Sequence, residues 1–455
     1  METTNNTKPI SLHVIFKTWW PLAASWLLMA LELPALSAVT ARLANPKINL
    51  AAYGGIVFPL ALIVEAPIIM LLAASTALSK DWKSYQKIRK FMMVTSGLLT
   101  ALHAAIAFTP LYYFVVEKLI GAPSEIVEPG RIGLMIMLPW TWAIAYRRFN
   151  QGVLIRFGHS RSVGVGTLVR LGADIVVLAL GYLQGDIPGI VVASSAVAAG
   201  VLCEALYVGI RVRSVINNEL KLAPSADIEL TWRKFGNFYF PLALTSLMTL
   251  ITQPLISSAL SRMPQALDSL AVWPIVSGLI FILRSGGVAY NEVVVTLLDK
   301  PGSTNTLRRF ATILTTTTSA ILIIITATPL SKFWLQNLSA LTPPLASLAK
   351  TSLWFGLVIP GANTLQSWYQ GAILQSKKTR GISEAVALFL GIILLTFGVG
   401  IVWGKIPGLY IGVIGFSLGM TVQAGWLWYR SRPALKKTRE RDQSLSKANP
   451  IFPRT

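Results

Sequence analysis

About twelve apolar runs of roughly 20–30 residues follow one another along this chain, and each is long enough to cross a ~30 Å hydrocarbon core. They lie near 16–42, 50–78, 91–116, 132–155, 163–184, 187–210, 235–261, 269–298, 310–331, 345–375, 382–403 and 407–429. In lipid every backbone N–H and C=O must be satisfied within its own segment, so runs of this length predict helices. Prolines inside them (Pro21, Pro34, Pro59, Pro67, Pro139, Pro241, Pro254, Pro274 and Pro360) predict kinks or local unwinding. Only 13% of the 455 residues are charged, against about a quarter in soluble proteins, so the chain cannot cover a water-facing surface. The expected class is an all-α polytopic membrane protein with about 12 transmembrane helices.

The charges that exist lie between the runs. With the N-terminus in the cytoplasm, the inside segments are 1–17, 79–90, 147–162, 211–234, 299–309, 376–380 and 430–455. They hold 30 of the 40 Lys and Arg residues, the outside segments hold 8, and Arg170 and Arg284 remain within runs. The positive-inside rule then places both termini in the cytoplasm of a plasma or cell inner membrane. It also accounts for much of the net charge of +21, which would point to nucleic acid in a soluble protein and is not expected to do so here. The C-terminal residues Arg430, Arg432, Lys436, Lys437, Arg439 and Arg441 read as a topogenic tail that also suits anionic lipid. The first run is too long for a cleavable signal and is expected to stay as the first transmembrane helix.

Catalytic chemistry finds no support. Cys203 is the one cysteine and lies in an apolar run, and His13, His103 and His159 are far apart in sequence. HExxH, CxxC, GxSxG and Walker A spacings are all missing. No enzyme activity, no metal and no cofactor are expected.

The second constraint is self-similarity at half the chain length. Pro21, Leu22, Ala23, Pro34, Ser37 and Arg42 match Pro241, Leu242, Ala243, Pro254, Ser257 and Arg262 at a constant offset of 220. Leu50, Ala51, Ala52 and Tyr53 match Leu270, Ala271, Val272 and Trp273 at the same offset. One residue is then lost, and the offset becomes 219. Ile88, Arg89, Lys90 and Phe91 match Leu307, Arg308, Arg309 and Phe310, and Arg161 matches Arg380. Phe149 to Leu154 likewise match Trp368 to Ile373. Matched prolines and loop arginines are much rarer by chance than matched apolar residues. Six spans per half is an even number, so both halves enter on the same side and the repeat is parallel. The expected division is a six-helix lobe at 1–210, a cytoplasmic linker at 211–234, a second six-helix lobe at 235–430 and a basic tail at 431–455. Two lobes that rock about a central cleft would supply alternating access.

Leu50, Ala51, Ala52, Tyr53 and Gly54, with the string Pro241 to Leu244, Pro254, Ser261 and Arg262, carry a resemblance. The chain resembles the multidrug/oligosaccharidyl-lipid/polysaccharide flippase superfamily, which includes the MATE exporters. Within it the chain most resembles the progressive ankylosis protein family. The superfamily implies two six-helix bundles in a V shape that switch between inward-open and outward-open states. MATE members imply drug antiport driven by H⁺ or Na⁺, and flippase members imply movement of lipid-linked precursors. Progressive ankylosis relatives imply export of small polyanions such as citrate, nucleotides or pyrophosphate.

Ionisable residues inside spans need a partner or an aqueous cavity. They are Glu32, Glu65, Arg170, Asp174, Glu204, Arg284 and Glu292. The resemblance to MATE exporters implies a first-lobe cation site with a first-helix carboxylate, here Glu32, and an Asn-xxx-Asp pair, here Arg170 and Asp174. The arginine replaces the Asn, and its charge would repel Na⁺. Residues at i and i+4 share a helix face, so Arg170 and Asp174 can pair. Glu32, Arg170, Asp174 and Glu204 are therefore the candidate charge network, with H⁺ or Na⁺ as possible coupling ion; a structural ion pair is the competing reading.

Glu65 and Arg284 occupy almost equivalent repeat positions with opposite charge. Either they bridge a cleft, or Arg284 anchors an anion that Glu65 helps release, or one of them snorkels. Tyr290, Asn291 and Glu292 follow on the same span and complete the cleft candidates. Arg147 and Arg148 read as positive-inside anchors, with an extension of a basic inward vestibule as the alternative; His103 reads as a packing histidine, with a group that titrates near neutral pH as the alternative; and Trp19, Trp20, Trp140 and Trp142 read as interface anchors or packing.

The leading expectation is a monomeric secondary exporter of a small organic or inorganic anion, with the lipid bilayer as its other partner. A MATE-type drug/H⁺ antiporter, a lipid-precursor flippase and a non-transporting scaffold remain as alternatives.

Overall fold

The computed structural model describes residues 10–224, 229–376 and 380–448, and all its regular elements are helical. Parts of the expected linker (225–228) and of the expected tail (449–455) lie outside the described residues. Among the described residues ten helices are long and apolar enough to cross a membrane. They are Leu12–Thr40, Pro46–Glu65, Trp82–Phe108, Ser160–Gln184, Gly189–Leu220, Trp232–Ser261, Ala266–Leu297, Ser303–Ala327, Arg380–Trp403 and Gly408–Ser444. The pair Pro343–Phe355 and Ile359–Gln375, bent by 40°, is apolar enough to make an eleventh when taken as one span. The run expected at 132–155 falls on Ser124–Ile136 and Leu138–Arg156, which part at Met137. Arg147, Arg148 and Arg156 dilute its apolar character, so length and composition alone do not mark it as a crossing. This pair and the bent pair are repeat counterparts, each broken at the same place.

Large apolar side chains such as Leu98, Leu168, Leu183, Leu395 and Val402 are exposed along these helices. That is the surface of a protein whose solvent is lipid. The prolines sort by position. Pro139 and Pro360 sit in the first turn of a helix, where the missing N–H is harmless, Pro59 follows directly on the wide turn Tyr53–Val57 inside the second span, and Pro67 sits in the break after Glu65. Pro21, Pro34, Pro241 and Pro274 are carried inside helices.

The lost residue of the repeat has a structural cause. Tyr53–Val57 is a π-helical wide turn inside the second span, and a wide turn holds one extra residue. The matching stretch of Ala266–Leu297 is plain α-helix. Past the wide turn the offset is 219, which makes Glu65 and Arg284 true counterparts. At the wide turn Gly54 touches its own counterpart, since a Cβ there would lie 2.8 Å from Pro274 Cγ.

The packing crosses the division expected from the order of the chain. One compact unit contains 1–34, 275–402 and 410–455, and the other contains 35–274 and 403–409. Repeat-equivalent bonds tie the exchanged segments down. In the first unit Trp19 Nε1 donates to the Gly286 carbonyl at 2.8 Å, and in the second Tyr239 Oη donates to the Pro67 carbonyl at 2.6 Å. Trp19 also meets Phe310 edge-on in a core with Ile15, Tyr290, Val294 and Leu307.

Two arginines show what the loop charges do. Arg262 donates to the carbonyls of Lys118, Leu119 and Ile120, the open end of the wide-turn segment Phe114–Ile120. Near the C-terminus, Arg441 and Asp442 read two helix ends at once. Arg441 donates to the carbonyls of Leu298, Asp299 and Lys300, where Ala266–Leu297 ends. Asp442 accepts from the N–H groups of Gly302 and Thr304, where Ser303–Ala327 begins. Gly302 has φ 70°, a left-handed turn that suits glycine. Each charge matches the dipole of its helix end. Asp442→Ala is expected to lower stability by about 1–2 kcal/mol, the usual loss for a removed cap, and a thermal unfolding curve that does not move would contradict this role.

Candidate functional site

Glu204 sits mid-helix in Gly189–Leu220 and is fully buried. A lone carboxylate there would be severely destabilising, so its neighbours must neutralise it. Arg147 and Gln151 stand one turn apart on Leu138–Arg156 and both face it. Arg147 Nη1 bonds to Glu204 Oε2, and Gln151 Nε2 donates to Oε1 at 2.9 Å. Arg170 Nε lies 3.9 Å from Oε2, at the outer limit of an ion pair. Asp174, one turn beyond Arg170 on Ser160–Gln184, rests against Gly200, where a Cβ would lie 2.7 Å from its Cγ and 3.0 Å from Arg170 Cγ. Glu65 is buried nearby, in the field of Arg148, Arg147 and Arg170. The second unit thus gathers three arginines and three carboxylates.

Arg170, Asp174 and Glu204 lie close together, while Glu32 is half-buried and belongs to the other unit. The reading of Arg147 as a surface anchor is corrected, since it is 5% exposed and bonded to the buried carboxylate. Gln151 was missed. The available signal was a mid-span acid that needs a partner, plus an Arg and a Gln at i and i+4 on another span.

In the first unit Arg284 is half-buried on Ala266–Leu297. Its Nε donates to Asn363 Oδ1 at 3.2 Å, and its guanidinium lies 5.3 Å from the centre of the Phe416 ring. Among the described residues no carboxylate lies within ion-pair distance of it in this unit. Tyr290 is buried and donates to the Leu307 carbonyl at 2.7 Å. Asn291 donates to the Ser367 carbonyl at 3.2 Å. Both side chains hold neighbouring helices together, and Glu292 is exposed. His103 is fully buried, with Thr141 Oγ1 at 2.7 Å and the Leu134 carbonyl at 2.9 Å on its two nitrogens, as a packing histidine should be.

The repeat provides an internal control for the charge cluster. At offset 219 the counterparts of Arg147 and Glu204 are Gln366 and Gln423, and Gln366 Nε2 donates to Gln423 Oε1 at 3.1 Å. The counterparts of Arg170, Asp174 and Gly200 are Phe389, Ile393 and Gly419. A Cβ on Gly419 would lie 2.8 Å from Phe389 Cδ2 and 3.3 Å from Ile393 Cγ1. The same helix contact therefore forms with amides and apolar side chains alone. Gly200→Ala and Gly419→Ala should each cost about 1–3 kcal/mol through overpacking, read as a lower melting temperature in detergent. Unchanged melting would show that these contacts are looser than drawn.

Comparison with known proteins agrees with this architecture. The family model described as progressive ankylosis protein (ANKH) matches residues 9–325. An inward-facing multidrug resistance MATE family transporter of the MOP superfamily matches at TM-score 0.68 and 14% identity, over 93% of this chain and 99% of that one. An outward-facing structure of such a transporter matches at TM-score 0.58 and 15% identity, over 97% and 100%. A MOP superfamily transporter from Pyrococcus furiosus, whose binding pocket is described as of reverse polarity, matches at TM-score 0.59 and 16% identity, over 95% and 100%. The fold is that of the MATE transporters.

Proposed function

Since the chain belongs to the progressive ankylosis protein family, we propose that it is a secondary active transporter that exports a small organic or inorganic anion by alternating access. The observation that carries this reading is Arg284. It is a permanent cation inside a membrane-spanning helix, held by a neutral amide and an aromatic face. A guanidinium in that setting keeps N–H groups for a carboxylate or phosphate oxygen. The fold supports the mechanism, because its similar structures include an inward-facing and an outward-facing transporter. The P. furiosus transporter, whose reversed pocket polarity is described as suggesting a different function, is a precedent for altered pocket polarity on this fold. Coupling to H⁺ suits the second unit better than Na⁺, since Arg147, Arg148 and Arg170 would repel a metal cation. The distribution of Lys and Arg supports a cell membrane location with both termini in the cytoplasm, and the protein would act as a monomer. In proteoliposomes, citrate, a nucleotide or pyrophosphate should move under a proton gradient. Flux of none of them under any ion gradient overturns the reading.

A further inference from the structure

We propose that Asn363 is the positioning residue of the anion site: its side-chain oxygen holds the Arg284 guanidinium through Nε without cancelling its charge, and so leaves the terminal N–H groups to the substrate. This deepens the anion-transport reading and rests on it.

The helices Ala266–Leu297 and Ile359–Gln375 lie side by side, and a row of contacts fixes their register. Arg284 Nε donates to Asn363 Oδ1 at 3.2 Å. One turn on, a Cβ on Gly287 would lie 3.3 Å from Thr364 Cα, so the two backbones touch. Asn291 Nδ2 then donates to the Ser367 carbonyl at 3.2 Å. Last, a Cβ on Gly371 would lie 2.7 Å from Val294 Cβ. The helix pair fixes the two backbones, and the amide fixes the long side chain. An arginine at membrane depth otherwise swings toward the nearest interface. A guanidinium only donates, so the buried Asn363 has to offer it the carbonyl oxygen. That bond uses Nε. Among the described residues of this unit Arg284 makes no hydrogen bond through its terminal nitrogens. Those nitrogens form the fork that takes two oxygens of a carboxylate or phosphate.

The first repeat shows that the scaffold does not demand this amide. At offset 219 the counterparts of Arg284, Asn363 and Phe416 are Glu65, Ile144 and Val197, all buried. The same helix contact forms there. A Cβ on Gly152, the counterpart of Gly371, would lie 2.6 Å from the Cβ of Ser75, the counterpart of Val294. An apolar side chain therefore serves the packing at this position, and the amide and the ring occur only beside the arginine. The choice of an amide also follows by elimination. An apolar residue would hold nothing. A carboxylate would hold the guanidinium firmly but neutralise it, removing its attraction for an anion. A neutral acceptor anchors the group and keeps its charge.

Counterflow of labelled citrate, a labelled nucleotide and labelled pyrophosphate in proteoliposomes, with melting curves of the same variants, tests this. Asn363→Ile installs the residue of the first repeat. It should raise KM about tenfold, leave maximal flux within about twofold and melt close to the wild type, since it loosens the arginine but keeps the packing. Asn363→Asp should melt no lower than the wild type and yet lose flux about a hundredfold, because a new buried pair braces the helices and neutralises Arg284. A merely structural amide would lose flux only in step with melting. Wild-type KM in Asn363→Ile, or wild-type flux in Asn363→Asp, overturns the proposal; if Asn363→Asp does not fold, the KM of Asn363→Ile decides. The two readings fail separately. A wild type that moves none of the three anions overturns the anion reading and this proposal with it, whereas flux that needs Arg284 but is indifferent to Asn363 overturns this proposal alone.

Discussion

Replacing Arg147, Arg170, Asp174 and Glu204 together with Gln, Phe, Ile and Gln is expected to leave a folded protein whose transport falls at least a hundredfold. The quartet is borrowed from the second repeat, where Gln366 and Gln423 already bond and Phe389 and Ile393 already pack on Gly419. Two positive and two negative charges leave together, and Arg148 and Glu65 remain as a balanced pair. The single variant Glu204→Gln should do worse for stability than the quartet. It strands the buried Arg147 without its acid, and breaking one side of a buried pair costs about 3–5 kcal/mol. This inverted order, one substitution more harmful than four, is strong non-additivity among contacting residues. Melting temperatures and flux in one set of variants measure it. A quartet variant that transports normally would make the cluster a dispensable brace. One that fails to fold while Glu204→Gln folds would mean the repeat is no guide to the packing.

Arg284→Gln is expected to abolish anion flux with little change in folding. Glutamine can still reach the Asn363 amide, and what stability is lost is the contact with Phe416, worth about 1 kcal/mol. Arg284→Lys keeps the charge but loses the planar fork, so it should retain some flux at a raised KM. Wild-type flux in Arg284→Gln would remove the observation on which the anion reading stands.

How far the sequence spoke for itself differs between scaffold and site. Helices, repeat and loop arginines were legible because lipid permits few backbone solutions and because paired prolines and arginines mark equivalent positions. The match of Arg42 with Arg262 came from sequence, and Arg262 turns out to cap open carbonyls. The one-residue step in the repeat was also visible, but its cause, the wide turn at Tyr53–Val57, was not, since a π-turn has no composition of its own. Segment 132–155 reads as one unbroken run because its arginines lie at one end, where anchors are normal, and the break at Met137 has no composition of its own. The same habit hid Arg147. An arginine near a span end obeys the topology rule whether it snorkels or turns inward, and only the position of Glu204 on another helix decides which. Tyr290 and Asn291 show the opposite case. Polar groups in a span look functional, yet each donates to a backbone carbonyl of a neighbouring helix. The exchange of segments between the two compact units lay beyond sequence, because a linear division at 211–234 cannot say on which unit a helix packs.

The central claim is that this MATE-like scaffold carries an anion. Counterflow in proteoliposomes tests it most directly, with labelled pyrophosphate and the organic cation tetraphenylphosphonium offered to the same preparation. The account predicts that pyrophosphate accumulates against its unlabelled form in wild-type vesicles and in neither Arg284→Gln nor protein-free vesicles, while the cation stays at background. Accumulation of the cation without the anion would contradict it.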